Sequence, residues 1–275
     1  MFVYKDWDKF CRTLSESGMK SITAVEELHR KDKHFLILKH DVEDVPQKAL
    51  SLAKIEAKYG HRGVYYVQAY LMKEKNISVF EQIKKLGHEV SYHHDVMDAT
   101  EGHIEKALQI FEENKKMFEQ YGFKIGTVCQ HGNPIAKRIG YHSNRDFFRN
   151  DYIKTQLLDI SEIMVDFKKR IDVDYKYVSD AGYSWKMIFD PENNDITDSS
   201  DRDMIIGNLE NLVDFVRKNT AVIVSTHPHR WCKSNISAKI KNCVFLLVRR
   251  TARILYKIPG IKNILEKFYF LAKKI

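Results

Sequence analysis

With 275 residues, 44% of them hydrophobic and 12% aromatic, the chain can bury one large core or two small ones, which excludes a disordered polypeptide. Its formal net charge of +8 is uneven: residues 233–275 carry 11 Lys and Arg and one acid, Glu266, leaving 34 basic and 36 acidic residues before Lys233. A near-neutral body with a basic appendage argues against a nucleic-acid-binding domain, whose positive surface belongs to the folded unit.

The four cysteines, Cys11, Cys129, Cys232 and Cys243, are scattered with no CxxC pair. That suggests neither a zinc ribbon nor a disulfide framework, and it fits a reducing compartment. The opening stretch MFVYKDWDKFCRTL has acids where a signal peptide would have its apolar core. No apolar run approaches the roughly 20 residues that span a bilayer. A cytoplasmic protein is expected.

In chain order, FLILK (35–39) reads as a buried strand. PQKALSLAKIEAKYG follows as a helix, with proline in its first turn, Gly60 at its end, and Leu50, Ala53 and Ala57 on one face. GVYYVQ (63–68) is a strand, ISVFEQIKKLG (77–87) a helix, HEVSYH (88–93) a strand, and 101–121 a charged helix. IGTVCQH (125–131), IMVDF and YKYVS are further strands, 204–218 is a helix, and AVIVST (221–226) is the last strand. Strands alternating with helices at this spacing predict parallel βαβ units. The sequence shows no repeat and no glycine-rich phosphate loop.

Polar clusters fall at the strand ends: HDVED after FLILK, HHD within and after HEVSY, QHGNP after TVC, SDAGYSW after YKYV, and THPHRW after AVIV. Parallel α/β folds build sites at the carboxyl ends of their strands, so the five clusters point to a single site. Histidines and carboxylates converging there suit a divalent metal such as zinc. Such an ion polarises a carbonyl and acidifies bound water. A carboxylate can take the water's proton and a histidine can protonate the leaving group, which is the equipment for amide or ester hydrolysis.

A carboxylate ending a buried strand is costly without a purpose, which marks Asp41. Asp44 is better placed to cap the helix begun by Pro46. His40 has the bland reading of a partner for a neighbouring acid, and His229 that of a solvated neighbour. Adjacent strand residues point to opposite faces, which separates His94 from His93, and Asp95 after it is likewise the weaker candidate. Asp180 and Trp185 either line a sugar pocket, because an aromatic face suits a pyranose ring, or are ordinary core and turn residues.

The order LKHDVED, GHEVSYHH, CQHGNP, VSTHPHRW, between residues 35 and 231, resembles the polysaccharide deacetylase superfamily, the carbohydrate esterase family 4 type. The resemblance implies a distorted (β/α) barrel over residues 1–232 and metal-assisted removal of acetyl groups from N-acetylated sugars in a glycan-building pathway. It implies Asp41 as general base, Glu43 as the metal-binding acid with Asp44 as alternative, and His93 as first metal histidine. It also implies His227 as general acid, with Trp231 packed beside it. The family's second metal histidine, four residues after the first, is here Met97. His94, Asp95 and His131 are the replacements, and His131 is preferred because HGN begins at a strand end. With Met97 in that place, the alternatives are an inactive carbohydrate-binding relative, a metal-independent amide hydrolase, or a membrane scaffold whose barrel is only structural.

The basic tail, 233–275, is expected to be helical and divides at Pro259-Gly260. Before the break, Val244, Leu247, Val248 and Leu255 share one face, while Arg249, Arg250, Arg253 and Lys257 gather on another. After it, Ile261, Ile264, Leu265, Phe268 and Ile275 recur at helical spacing. Basic amphipathic helices of this kind lie on anionic membrane surfaces. The alternative is a helix packed on the barrel with its charges outward.

Overall fold

The computed structural model describes residues 2–133 and 136–255, except for the side chains of residues 245, 246, 248, 249 and 252–255. Pro134 of the QHGNP cluster, the side chains of Val248, Arg249, Arg253 and Leu255, and everything from Tyr256 on, with Lys257 and the second tail segment, lie outside the described residues.

Nine strands form one sheet: β1 (Phe35–Val42), β2 (Gly63–Val67), β3 (Glu89–His94), β4 (Thr127–Gln130), β5 (Ser161–Glu162), β6 (Lys176–Ser179), β7 (Trp185–Ile188), β8 (Met204–Gly207) and β9 (Ala221–Thr226). Their order is β5-β4-β3-β2-β1-β9-β6-β7-β8. The run from β5 to β6 is parallel throughout, and β7 and β8 extend it antiparallel. The parallel run curls around a core of Ile37, Tyr66, Cys129, Ile163, Tyr177 and Ile223. Where β5 faces β6, the Tyr175 hydroxyl donates to the Ile163 carbonyl at 3.0 Å in place of a ladder. The result is the distorted (β/α) barrel that the motif order implies.

Alternation along each strand sorts the side chains. Leu36 and Leu38 of β1 face an outer layer with Trp7, Phe10 and Leu212, while Phe35 and Ile37 face the barrel interior. On β3, Val90 and Tyr92 face the second outer layer with Phe80, Phe111 and Phe147. Side chains of this size contribute about 1.5–3 kcal/mol each when fully buried, so the two outer layers dominate the stability. The helix Pro46–Lys58 shows how the sequence sets the elements. Proline occupies its first turn, Ala49, Leu50, Leu52 and Ala53 are buried, and Gly60, at φ +74°, turns the chain toward β2.

Two expectations change. The predicted helix 204–218 divides into edge strand β8 and the helix Leu209–Lys218. Gly207, at φ +91°, turns the chain, and Asn208 caps the helix by accepting from Asn211 N at 2.8 Å. The strand predicted for IMVDF is confined to Ser161 and Glu162 before it. There the Asp166 carboxylate accepts from Ser161 Oγ and Glu162 N, both at 2.8 Å, and folds residues 163–166 into a turn.

Candidate active site

Alternation on β1 places Lys39 and Asp41 on the interior face. Lys39 is 1% exposed, and its Nζ lies 2.6 Å from each Asp41 carboxylate oxygen and 3.2 Å from Ser225 Oγ of β9. The rings of Tyr66 and Tyr177 flank the ammonium. Burial alone would raise the Asp41 carboxyl, but Lys39, with His93 and His227, holds it below its ordinary value. Burial would likewise lower the Lys39 ammonium, and Asp41 pushes it well up. The pair is therefore ionised. His40, between them, points outward. Its Nε2 lies 2.9 Å from Glu56 Oε1, its ring stacks on Tyr65, and Trp7 Nε1 and the Tyr65 hydroxyl donate to the same carboxylate. His40 thus pairs with an acid in the outer core.

Glu43 stands just past the end of β1, among three imidazoles. Its Oε1 is 3.3 Å from His131 Nε2, 3.6 Å from His93 Nε2 and 4.0 Å from His227 Nε2. Burial would raise its carboxyl, yet His131 and His93 hold it well below the ordinary value. On β3, His93 Nδ1 lies 3.0 Å from the Cys129 carbonyl, so the Nδ1 proton is donated there and Nε2 faces Glu43. That Nε2 is buried and has no hydrogen-bond partner. His131 is set after β4 by its own N–H to the His94 carbonyl, at 2.7 Å. Asn144 Nδ2 donates to the His131 carbonyl and to Asp98, and Asp98 takes both arms of Arg138.

One ligand atom each from Glu43, His93 and His131 lies within 4.8 Å of the others. A carboxylate with two imidazoles, one of them with a buried, unpartnered Nε2, is a donor set that fits a zinc-like divalent ion. The group Asp41, His93 and Cys129 is equally compact but fits less well. The Lys39 ammonium already neutralises Asp41 and would oppose a second cation beside it, and burial pushes the Cys129 thiol well above its usual range, so it stays protonated.

Opposite this group stands His227, just past β9. Its Nδ1 is 2.6 Å from Asp180 Oδ1, and its Nε2 faces Asp41 Oδ2 at 3.9 Å. Asp180 is fully buried, and Arg230 Nη1, Thr226 Oγ1 and the His227 N–H also donate to its carboxylate, at 2.6, 2.7 and 2.9 Å. Burial would raise its carboxyl, while Arg230 and His227 hold it far below the ordinary value. Trp231 Nε1 donates to Thr226 Oγ1 at 2.8 Å, which extends the chain of contacts into the outer core.

The structure thus brings together Asp41, Glu43, His93, His131 and His227. Other expected residues lie elsewhere. Asp44 accepts from the Val45 N–H rather than capping the helix begun by Pro46, which has no side-chain cap. Neither Asp44 nor Asp95 joins a metal-competent group among the described residues. His94 is packed among Phe111, Phe147 and Phe148, and burial lowers its imidazole to about 3. Met97 is buried in the same outer layer. His229, expected to be solvated, is enclosed enough to be lowered to about 3, chiefly by burial and then by His227. Asp180, read as either a sugar-pocket or a core residue, is buried and holds His227. Trp185 is not at the mouth but buried against Phe2 and stacked on Trp7. The exposed aromatic beside Glu43 is Tyr70, whose hydroxyl donates to the Glu43 carbonyl. Sequence reasoning passed over Tyr70 and Lys39. For Lys39 a signal existed, since it stands two residues before Asp41 on one strand.

No protein-family model matches the chain, and no curated protein matches it. Among solved structures, it is similar to a CE4 esterase from Streptococcus mutans at 12% identity and TM-score 0.47, covering 84% of this chain and 89% of that one. A CE4-family pseudoenzyme from Bacillus anthracis is similar at 13% identity and TM-score 0.44, covering 80% and 62%. A family 4 carbohydrate esterase from Streptomyces lividans is similar at 13% and 0.40, covering 78% and 89%. These are proteins of the family that the motif order resembles. The roles assigned below rest on the site's own geometry.

Proposed function

We propose that the chain is a metal-assisted hydrolase of the polysaccharide-deacetylase type, releasing acetate from an N-acetylated sugar in glycan biosynthesis. The observation that carries this reading is the compact group Glu43, His93 and His131, set between Asp41 and the His227–Asp180 pair. Glu43, His93 and His131 would hold a divalent ion, zinc being the first choice. When bound, it supplies Lewis-acid polarisation of the acetyl carbonyl and acidification of water. Asp41, kept ionised by Lys39, accepts the proton of the attacking water. Asp180 accepts the hydrogen bond of the His227 Nδ1 proton and orients the ring, and the imidazolium form gives its Nε2 proton to the departing amine. Tyr70 offers an exposed ring for the sugar beside Glu43.

Met97 is the residue that favours an inactive reading. Its side chain is buried in the outer layer, whereas His131 stands beside Glu43, so a second histidine is present from another strand end. The direct test is acetate release from N-acetylglucosamine oligosaccharides by the zinc-loaded protein. Activity that disappears in Asp41→Asn and His227→Ala supports the reading. A folded, metal-loaded protein that binds these sugars and releases no acetate would leave a carbohydrate-binding relative.

A further inference from the structure

The helix Asn235–Leu255 begins four residues after Trp231. The body holds it at few points: Ala238 is buried, and Lys241 Nζ donates to the His229 carbonyl at 2.7 Å. Lys48, from the helix after β1, donates to the same carbonyl, also at 2.7 Å. Ile236, Ile240, Val244 and Leu247 are 72, 59, 41 and 70% exposed. Steps of four, four and three residues place these side chains on one stripe of the helix. Lys233, Lys239 and Arg250 are exposed along it, and residues 233–275 carry 11 basic residues against one acid.

We propose that this helix docks on an anionic lipid surface, its apolar stripe entering the headgroup boundary while the basic residues pair with lipid phosphates. Charge selects this occupant. A second copy of the chain would bring two strongly positive segments together, and a nucleic acid would leave the apolar stripe unused. No helix among the described residues is long and apolar enough to cross a membrane. Because Lys241 ties the helix to the segment His227–Arg230, docking sets the mouth of the site at headgroup level. If the hydrolase reading above holds, the substrate is then a glycan carried on lipid or assembled at the membrane. The docking itself does not rest on that reading.

The test is sedimentation of the full chain with vesicles of phosphatidylcholine, alone or with about 30% phosphatidylglycerol. Binding is expected to the anionic vesicles only, to weaken in about 0.5 M salt, and to fall at least tenfold, roughly, in I240D/L247D. Both positions are exposed, so the variant should melt with the wild type. Equal binding to both vesicles, no binding, or binding unchanged in the variant overturns the proposal. Self-association abolished by the same substitutions, or retention on duplex DNA without vesicle binding, overturns it in favour of the other occupants. Acetate release from soluble oligosaccharide is a separate readout, so loss of docking and loss of activity are told apart.

Discussion

Lys39 Nζ stands 2.6 Å from each carboxylate oxygen of Asp41, two residues along the same strand, and both side chains are buried. A buried pair of this kind gains little over an apolar substitute, but breaking it strands a charge. Lys39→Met should therefore destabilise the protein by about 3–5 kcal/mol. Lys39→Met with Asp41→Asn should recover much of that loss in denaturant unfolding. Neither protein should regain turnover, because one lacks the group that secures the base and the other lacks the base. A single variant as stable as wild type would contradict the pairing.

Asp180 is argued to act through His227. Asp180→Asn keeps the shape but loses the charge that faces Arg230 and His227 and one of the two acceptor oxygens. We expect kcat to fall by about 10²-fold or more. KM should change little, since Asp180 is buried and does not reach the mouth. A fall in substrate affinity with kcat retained would instead place Asp180 in the sugar pocket.

Met97→His restores the spacing that the family resemblance implies. The side chain is nonetheless buried in the outer layer, where an imidazole has no evident partner. We expect no gain in metal affinity and a stability loss of about 1–3 kcal/mol. Zinc titration with a competing chelator, alongside thermal melting, checks both. Tighter zinc binding would mean that the turn after β3 faces the site.

Glu27 sets a pH dependence of its own. Both of its carboxylate oxygens are buried, and burial, with Asp32 nearby, raises its carboxyl to about 7. The folded state then keeps a proton that the unfolded chain loses near the ordinary carboxylate value of about 4.3. Stability from this group falls as pH rises between those values. Glu27→Met should raise the melting temperature, with a margin that grows from pH 5 to about 7 and then levels off. A margin independent of pH would contradict the assignment.

Much of the site was legible because strand alternation and strand-end position are local properties. His93 was separated from His94 by period two alone, and the structure puts His94 among phenylalanines. His131 is marked by standing at the end of TVCQ, and Glu43 by the family resemblance of the HDVED motif. What the sequence hid depends on partners far along the chain. Asp180 meets His227 across 47 residues because β6 pairs with β9. Trp185 reads as either a sugar-facing ring or a core residue, and the choice depends on Trp7 and Phe2, from the opening segment, which cover it. The 204–218 segment was read as one helix because its apolar spacing continues across Gly207, where a positive φ breaks it.

The central claim is that Glu43, His93 and His131 hold one divalent ion. It is tested most directly by metal analysis of protein purified without an affinity-metal step and then incubated with zinc, cobalt or manganese. The account expects about one equivalent in wild type and loss of it in both His93→Ala and His131→Ala, each still folded by circular dichroism. Wild type that binds none of the three metals, or His131→Ala that retains a full equivalent, would contradict it.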